Sequence, residues 1–156
     1  MPAATLRRAT QADQARIRQI IRVAGINPTG LDWRRFRVAE SDGIVIGTGQ
    51  VKPHRDGSRE LASIAVVPTY QRQGIASQLI RALLADQTGP LFLMCKDSLQ
   101  AFYCQFGFQP VTPAQLPEAI RATYRLIRLI RSLERITERT LHIIVMIREA
   151  PLVVQS

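Results

Sequence analysis

The feature that most constrains this chain is a single change of hydrophobic period between Glu60 and Ala85. Glu60 to Val67 reads as a strand that stops at Pro68. From Gly74 to Ala85, the residues Ile75, Ala76, Leu79, Ile80, Leu83 and Leu84 recur as on a helix with one buried face. A polar loop, Pro68-Thr69-Tyr70-Gln71-Arg72-Gln73, joins the two. The N-terminus of such a helix exposes unpaired N–H groups and carries roughly half a positive charge, so it attracts anions. Gly74 and Ala76 are small enough to let a diphosphate approach the main chain, and Arg72 adds a charge-assisted donor. An ordinary strand–helix junction that happens to hold one glycine would read the same way.

The flanking sequence supplies the other elements. A strand at Thr5–Arg8 leads to Asp13, read as an N-cap, and to a helix with Ile17, Ile20, Ile21 and Ala24 on one face. Gly25 and Asn27-Pro28-Thr29-Gly30 end that helix. Two apolar runs, one through Phe36 and Val38 and one from Ile44 to Val51, flank Ser41-Asp42-Gly43, a strong hairpin signal. A second turn is expected at Arg55-Asp56-Gly57-Ser58. After the central helix, Leu91–Cys95 is apolar throughout, as in a strand covered on both faces. Asp97 is read as capping a short helix with Gln100 in a capping-box arrangement, and Gly107 as its stop. A long helix over residues 118–139 and a strand over Leu141–Ile147 close the chain. The order β-α-β-β-β-α-β-α-α-β implies a mixed α/β fold.

At 156 residues the expectation is one domain, 1–156, large enough for a buried core. No run of ~18 uncharged apolar residues exists to span a membrane, and the first residues lack the apolar core of a secretory signal. Two cysteines, Cys95 and Cys104, make no disulfide framework, so the expected location is cytoplasmic. With His54 and His142 they show no zinc spacing, and no metal is expected. The net charge of +9 sits at the ends: residues 60–110 are neutral, with three basic and three acidic side chains. Nineteen of the 21 cations are arginine, which suits pairing with carboxylate or phosphate, although a biased genome would give the same excess.

Val67-Pro68-Thr69-Tyr70-Gln71-Arg72-Gln73-Gly74-Ile75-Ala76 resembles the acyl-CoA-binding signature of the GNAT superfamily of N-acetyltransferases, Gln/Arg-x-x-Gly-x-Gly/Ala, through Gln71, Gly74 and Ala76. Ala101-Phe102-Tyr103-Cys104-Gln105-Phe106-Gly107-Phe108 is similar to the family's A-x-x-Y-x-x-x-G-F run. The resemblance is tight from Glu60 to Pro110 and loose elsewhere. It implies a GNAT fold, a central, mostly antiparallel mixed sheet flanked by helices, with acetyl-CoA as co-substrate and a primary amine as acceptor. The backbone of Ala65, Val66 and Val67 would pair with the pantetheine arm. The amides of Arg72, Gln73, Gly74, Ile75, Ala76 and Ser77 would hold the diphosphate. Tyr103 would protonate the leaving thiolate. Ser98 stands where many relatives carry Asn, which puts that side-chain contact to the pantetheine arm in doubt.

An alkylammonium must lose a proton before it attacks, and a carboxylate is the usual acceptor of that proton. Glu60 is the candidate base. It opens the strand, counting in twos puts it on one face with Ala62, Ile64 and Val66, and some GNAT members carry a base five positions before the residue matching Ala65. A strand-end glutamate exposed to water is the plain alternative. Trp33 and Phe36 either line the acceptor pocket or belong to the core.

Arg121, Arg125, Arg128, Arg131, Arg135 and Arg139 form one stripe on the long helix, opposite Leu126, Leu129, Ile130, Leu133 and Ile136. The plain reading is a solvated basic face over a core-facing stripe. A lid for an acidic substrate, a homodimer surface and a phosphate-backbone contact are the others, and no basic–aromatic interleaving favours nucleic acid. The expectation is an acetyl-CoA-dependent N-acetyltransferase. Its rival is a non-catalytic acyl-CoA-binding or nucleic-acid-binding module on the same fold.

Overall fold

The computed structural model describes residues 3–133 and 142–151. Seven strands lie in one sheet in the order β1-β2-β3-β4-β5-β7-β6, which gives the expected mixed, mostly antiparallel architecture with flanking helices. The strands are β1 (Thr5–Arg8), β2 (Phe36–Ser41), β3 (Ile44–Pro53), β4 (Arg59–Val66), β5 (Leu91–Lys96), β6 (Gln109–Val111) and β7 (Ile143–Arg148). The α-helices are α1 (Gln14–Ala24), α2 (Ile75–Ala85), α3 (Gln100–Cys104) and α4 (Glu118–Leu133). The chain forms two compact units, Met1–Lys52 with Leu61–Gln87, and Pro53–Glu60 with Thr88–Ser156.

In the first unit the turn signals behave as read. Gly25 ends α1 at φ +67°, and Asp42 and Gly43 sit at +51° and +75°, as a tight β2–β3 hairpin turn requires. Asp13 does not cap α1 with its side chain. Its carboxylate turns back to the amide of Thr10 at 2.7 Å and grips Arg7 through two bonds of 2.7 and 3.0 Å, because that guanidinium stands beside it on β1. Arg7 also reaches Glu40 on β2. Ile17, Ile20 and Ile21 pack with Phe36, Val38, Val45 and Ala65, while Ala24 stays outside. Phe36 is therefore core, with Trp33 packed against it. On the other face Ile46 meets Ile75 and Leu79 of α2, and Gly47 is needed because a side chain there would press on both at 3.2 Å.

β4 carries a left-handed residue in mid-strand, Ser63 at φ +59°. Its carbonyl accepts from Thr48 Oγ1 and its hydroxyl from Gln50 Nε2, each at 3.0 Å, and all three residues are buried. The alternation of side chains is interrupted there, so Glu60 cannot be placed on one face with Ile64 and Val66 by counting in twos.

In the second unit β7 lies between β5 and β6, with Leu91 to Lys96 running antiparallel to Arg148 to Ile143. β6 has no counterpart in the sequence reading, since three residues that include Pro110 show no period. β4 and β5 are parallel, with one register pair, Glu60 and Phe92. Asp97 lies inside a 3-10 turn, Asp97–Leu99, and makes no side-chain cap there, while Gly107 takes the left-handed form at φ +87°. α4 docks through Ile120 and Tyr124 onto Phe92, Leu116 and Val145. Leu126, Leu129 and Ile130 do not face the core, being 56, 57 and 47% exposed, because the apolar arc of α4 is wider than the surface it packs on. Arg135, Ile136 and Arg139, the end of the expected helix, and Leu141 lie outside the described residues. Among the described residues no helix is long and apolar enough to cross a membrane.

The Arg7 guanidinium and the Thr10 amide hold the Asp13 carboxyl at a pKa of about 2, against 3.8 for the free group. A depressed carboxyl stabilises the fold fully above its unfolded pKa and loses that contribution as pH falls through the folded value. Asp13→Asn is expected to cost about 2 kcal/mol at pH 7, with the wild-type and variant denaturation curves converging as the pH falls from 4 toward 2. Equal stability at neutral pH would count against this accounting.

Candidate active site

The junction between β4 and α2 belongs to the first unit. Val67 leaves the strand with its amide on Ile46 O at 2.8 Å, and the 3-10 turn Pro68–Tyr70 closes when Tyr70 N donates to Val67 O at 2.9 Å. Gln71 then folds back, its Nε2 donating to Val66 O at 2.9 Å. Its side chain thus braces the loop, and the Val67 amide and the Val66 carbonyl are already engaged by protein. Ala65 points its methyl into the core beside Ile17 and Phe36.

Two left-handed residues follow, Arg72 at φ +62° and Gly74 at +79°. A non-glycine residue in that region stores strain of order 1 kcal/mol. α2 starts at Ile75, with Gly74 as its cap rather than its first residue. Its first accepted amide is that of Gln78, which donates to Gly74 O at 3.0 Å. The amides of Arg72, Gln73, Gly74, Ile75, Ala76 and Ser77 take no acceptor among the described residues. The side chain of Ile75 is anchored in the core, residues 71–74 are exposed, and a Cβ added at Gly74 would meet nothing within 4 Å. Six free donors at the positive end of an 11-residue helix, with open space before them, suit a diphosphate.

The other candidates lie in the second unit. Tyr103 is 8% exposed, its ring edge-on to Phe102 and Phe108 at 5.1 and 6.2 Å. No protein group bonds its hydroxyl among the described residues, unlike Tyr124, whose hydroxyl donates to Ile143 O. Burial, with a smaller contribution from Cys95, pushes the phenol well above its usual value of 10. It therefore keeps its proton through the physiological range and is available only as an acid. Glu60 is buried rather than water-exposed, and its Oε2 lies 2.8 Å from His54 Nε2. His54 was not singled out as a partner in the sequence. The Asp-Gly turn at 55–58 was the available signal, since it brings the residues on either side of it together.

Ser98 is exposed in its 3-10 turn with no protein partner among the described residues. Burial raises the Cys95 thiol to about 11, which leaves it unreactive at neutral pH. Among the described residues no group of three or more histidine, cysteine or acidic side chains is placed to hold a metal ion.

A model of the acetyltransferase (GNAT) domain matches residues 32–110. No curated protein matches by sequence. Among solved structures, the chain is similar to N-acetylglutamate synthase from Neisseria gonorrhoeae complexed with coenzyme A and N-acetyl-glutamate. That match has TM-score 0.75 and 21% identity, and covers 97% of this chain but 36% of the other, so the chain spans about a third of that protein's length. It is also similar to Rv2747 from Mycobacterium tuberculosis in complex with CoA, with TM-score 0.71, 21% identity, and 94 and 99% of the two chains covered. A GNAT-family acetyltransferase from Bacillus cereus aligns with TM-score 0.65, 19% identity, and 96 and 99% coverage. These identities establish a shared fold. The domain match spans half of the sequence and contains both β4 with its loop and the Tyr103 segment, so the chain belongs to the GNAT acetyltransferase family.

Proposed function

We propose that this protein transfers an acetyl group from acetyl-CoA to a primary amine by direct attack within a ternary complex. The observation that carries this reading is the run of six unpaired amides from Arg72 to Ser77 at the open start of α2. A diphosphate satisfies several of them at once, and structural relatives were crystallised with CoA. The thioester supplies an activated acyl carbon, and the residues of this chain supply positioning and proton transfer. Glu60 takes a proton from the acceptor's ammonium. The amine nitrogen then bonds to the acyl carbon as the carbon–sulfur bond breaks. Tyr103, held neutral by burial, gives its proton to the departing thiolate and recovers one as the second N–H proton leaves the newly acylated nitrogen.

Calorimetry with CoA and acetyl-CoA, joined to thiol release against a panel of amino acids, polyamines and lysine peptides, tests the whole reading. Saturable binding with turnover on at least one amine is expected. Binding without turnover on any amine would favour a non-catalytic acyl-CoA-binding module.

Gly74→Val is expected to abolish the rise in Tm that CoA confers on the wild type. The substitution fills the open space and also costs about 1 kcal/mol or more in the left-handed region, so it is scored on the CoA-dependent shift and not on the apo Tm. Tyr103→Phe removes a hydroxyl with no protein partner and should leave Tm unchanged while lowering kcat at least about tenfold. Glu60→Gln should slow turnover near neutrality and recover as the pH approaches that at which the free amine loses its own proton. An unaltered pH–rate profile would remove Glu60 from the base role.

A further inference from the structure

The hairpin joining β3 to β4 holds a group that the acyl-transfer reading does not use. His54 stands one residue beyond β3, and its Nε2 lies 2.8 Å from Oε2 of Glu60, the second residue of β4. The two side chains are 11 and 10% exposed. A carboxylate in its ionised form only accepts hydrogen bonds, so opposite that form the imidazole makes this contact with its proton on Nε2, as donor. The base of the ring is held at both ends. The His54 amide donates to Ser58 O at 2.9 Å, and the His54 carbonyl accepts from Gly57 N at 3.1 Å. Glu60 Oε1 and His54 Nδ1 have no protein partner among the described residues, and neither atom is fully sealed from solvent.

We propose that His54 is a positioning residue: its Nε2–H fixes Oε2 of Glu60, so that Oε1 alone is presented to the acceptor's ammonium. The proposal rests on Glu60 as the base. A glutamate with three rotatable bonds would otherwise present either oxygen in many orientations, and burying its charge without a donor would be unfavourable. The bond from His54 removes that freedom and offsets part of the desolvation. In the transfer the ammonium N–H breaks and Oε1–H forms, while the imidazole keeps its own proton throughout. The carboxyl later returns the proton to water.

Kinetics with the best acceptor of the amine panel, in wild-type and Glu60→Gln backgrounds, supply the test. His54→Phe removes the donor and keeps a ring of similar shape. It should lower kcat about tenfold or more with KM for acetyl-CoA unchanged, yet add less than about twofold in the Glu60→Gln background. His54→Gln carries an amide nitrogen where Nε2 stood and should stay within about threefold of wild type. His54→Phe at the wild-type rate while Glu60→Gln is slow would overturn the positioning role and leave the base in place. Glu60→Gln at the wild-type rate would overturn both assignments, as would the absence of turnover on every amine. Equal losses in the two backgrounds, or His54→Gln as slow as His54→Phe, would mark His54 as merely structural. Nitrogen NMR of the His54 ring needs no acceptor amine: an Nε2–H signal protected from exchange is expected in wild type and not in Glu60→Ala, which leaves no side-chain oxygen to receive it. A ring indifferent to that substitution would overturn the proposal.

Discussion

The architecture hangs on β4, and β4 hangs on the buried bonds that tie Ser63 to β3. A left-handed serine in mid-strand is unfavourable unless its surroundings fix it, and Thr48 and Gln50 do so, one on its carbonyl and one on its hydroxyl. Each of these polar groups would be costly to bury alone, and the two bonds offset that cost, although Gln50 Oε1 finds no partner among the described residues. The strand meets β5 at the single pair Glu60–Phe92, near its start. The candidate base therefore lies at one end of this strand, and the free amides lie just past the other.

The two chemical ends are built on different principles. At the β4–α2 junction the candidate site is main chain: side chains such as Ile75 and Gln71 anchor and brace, and the amides are left over. Such a junction depends on its backbone path, and Gly74 at φ +79° is where that path most needs a residue without a side chain. Glu60 and Tyr103, by contrast, are side chains in buried surroundings. Glu60 has the His54 ring beside it, and burial holds the Tyr103 phenol in its neutral form.

Features set by a few adjacent residues were legible in the sequence. Gly25, Asp42-Gly43, Gly57 and Gly107 all adopt the left-handed backbone that their turn contexts imply, and the switch of period after Pro68 located the junction. Contacts across sequence distance were not legible. Nothing around Ser63 marks a left-handed residue, because glycine or asparagine, the usual markers, are missing. Periodicity showed which residues of α4 are apolar, but not that Ile120 and Tyr124 would find a partner surface while Leu129 stayed outside. Asp13 had the right residue type for a cap and a stronger claim on it from Arg7, which no local pattern reveals.

One carboxylate gives the hairpin and α4 a common fate. Asp56 closes the His54 turn by accepting from the hydroxyl and amide of Ser58 and, with its second oxygen, receives the Ala119 amide at the first turn of α4 across 63 positions of sequence; the Ser58 hydroxyl first, and the Ala119 amide after it, hold its pKa down to about 2. The turn that aims an imidazole at Glu60 is thus pinned to the helix whose outer leucines stand in water. Mechanical load on that helix, from whatever settles on its bare flank, would be felt six residues from the carboxylate at the head of β4.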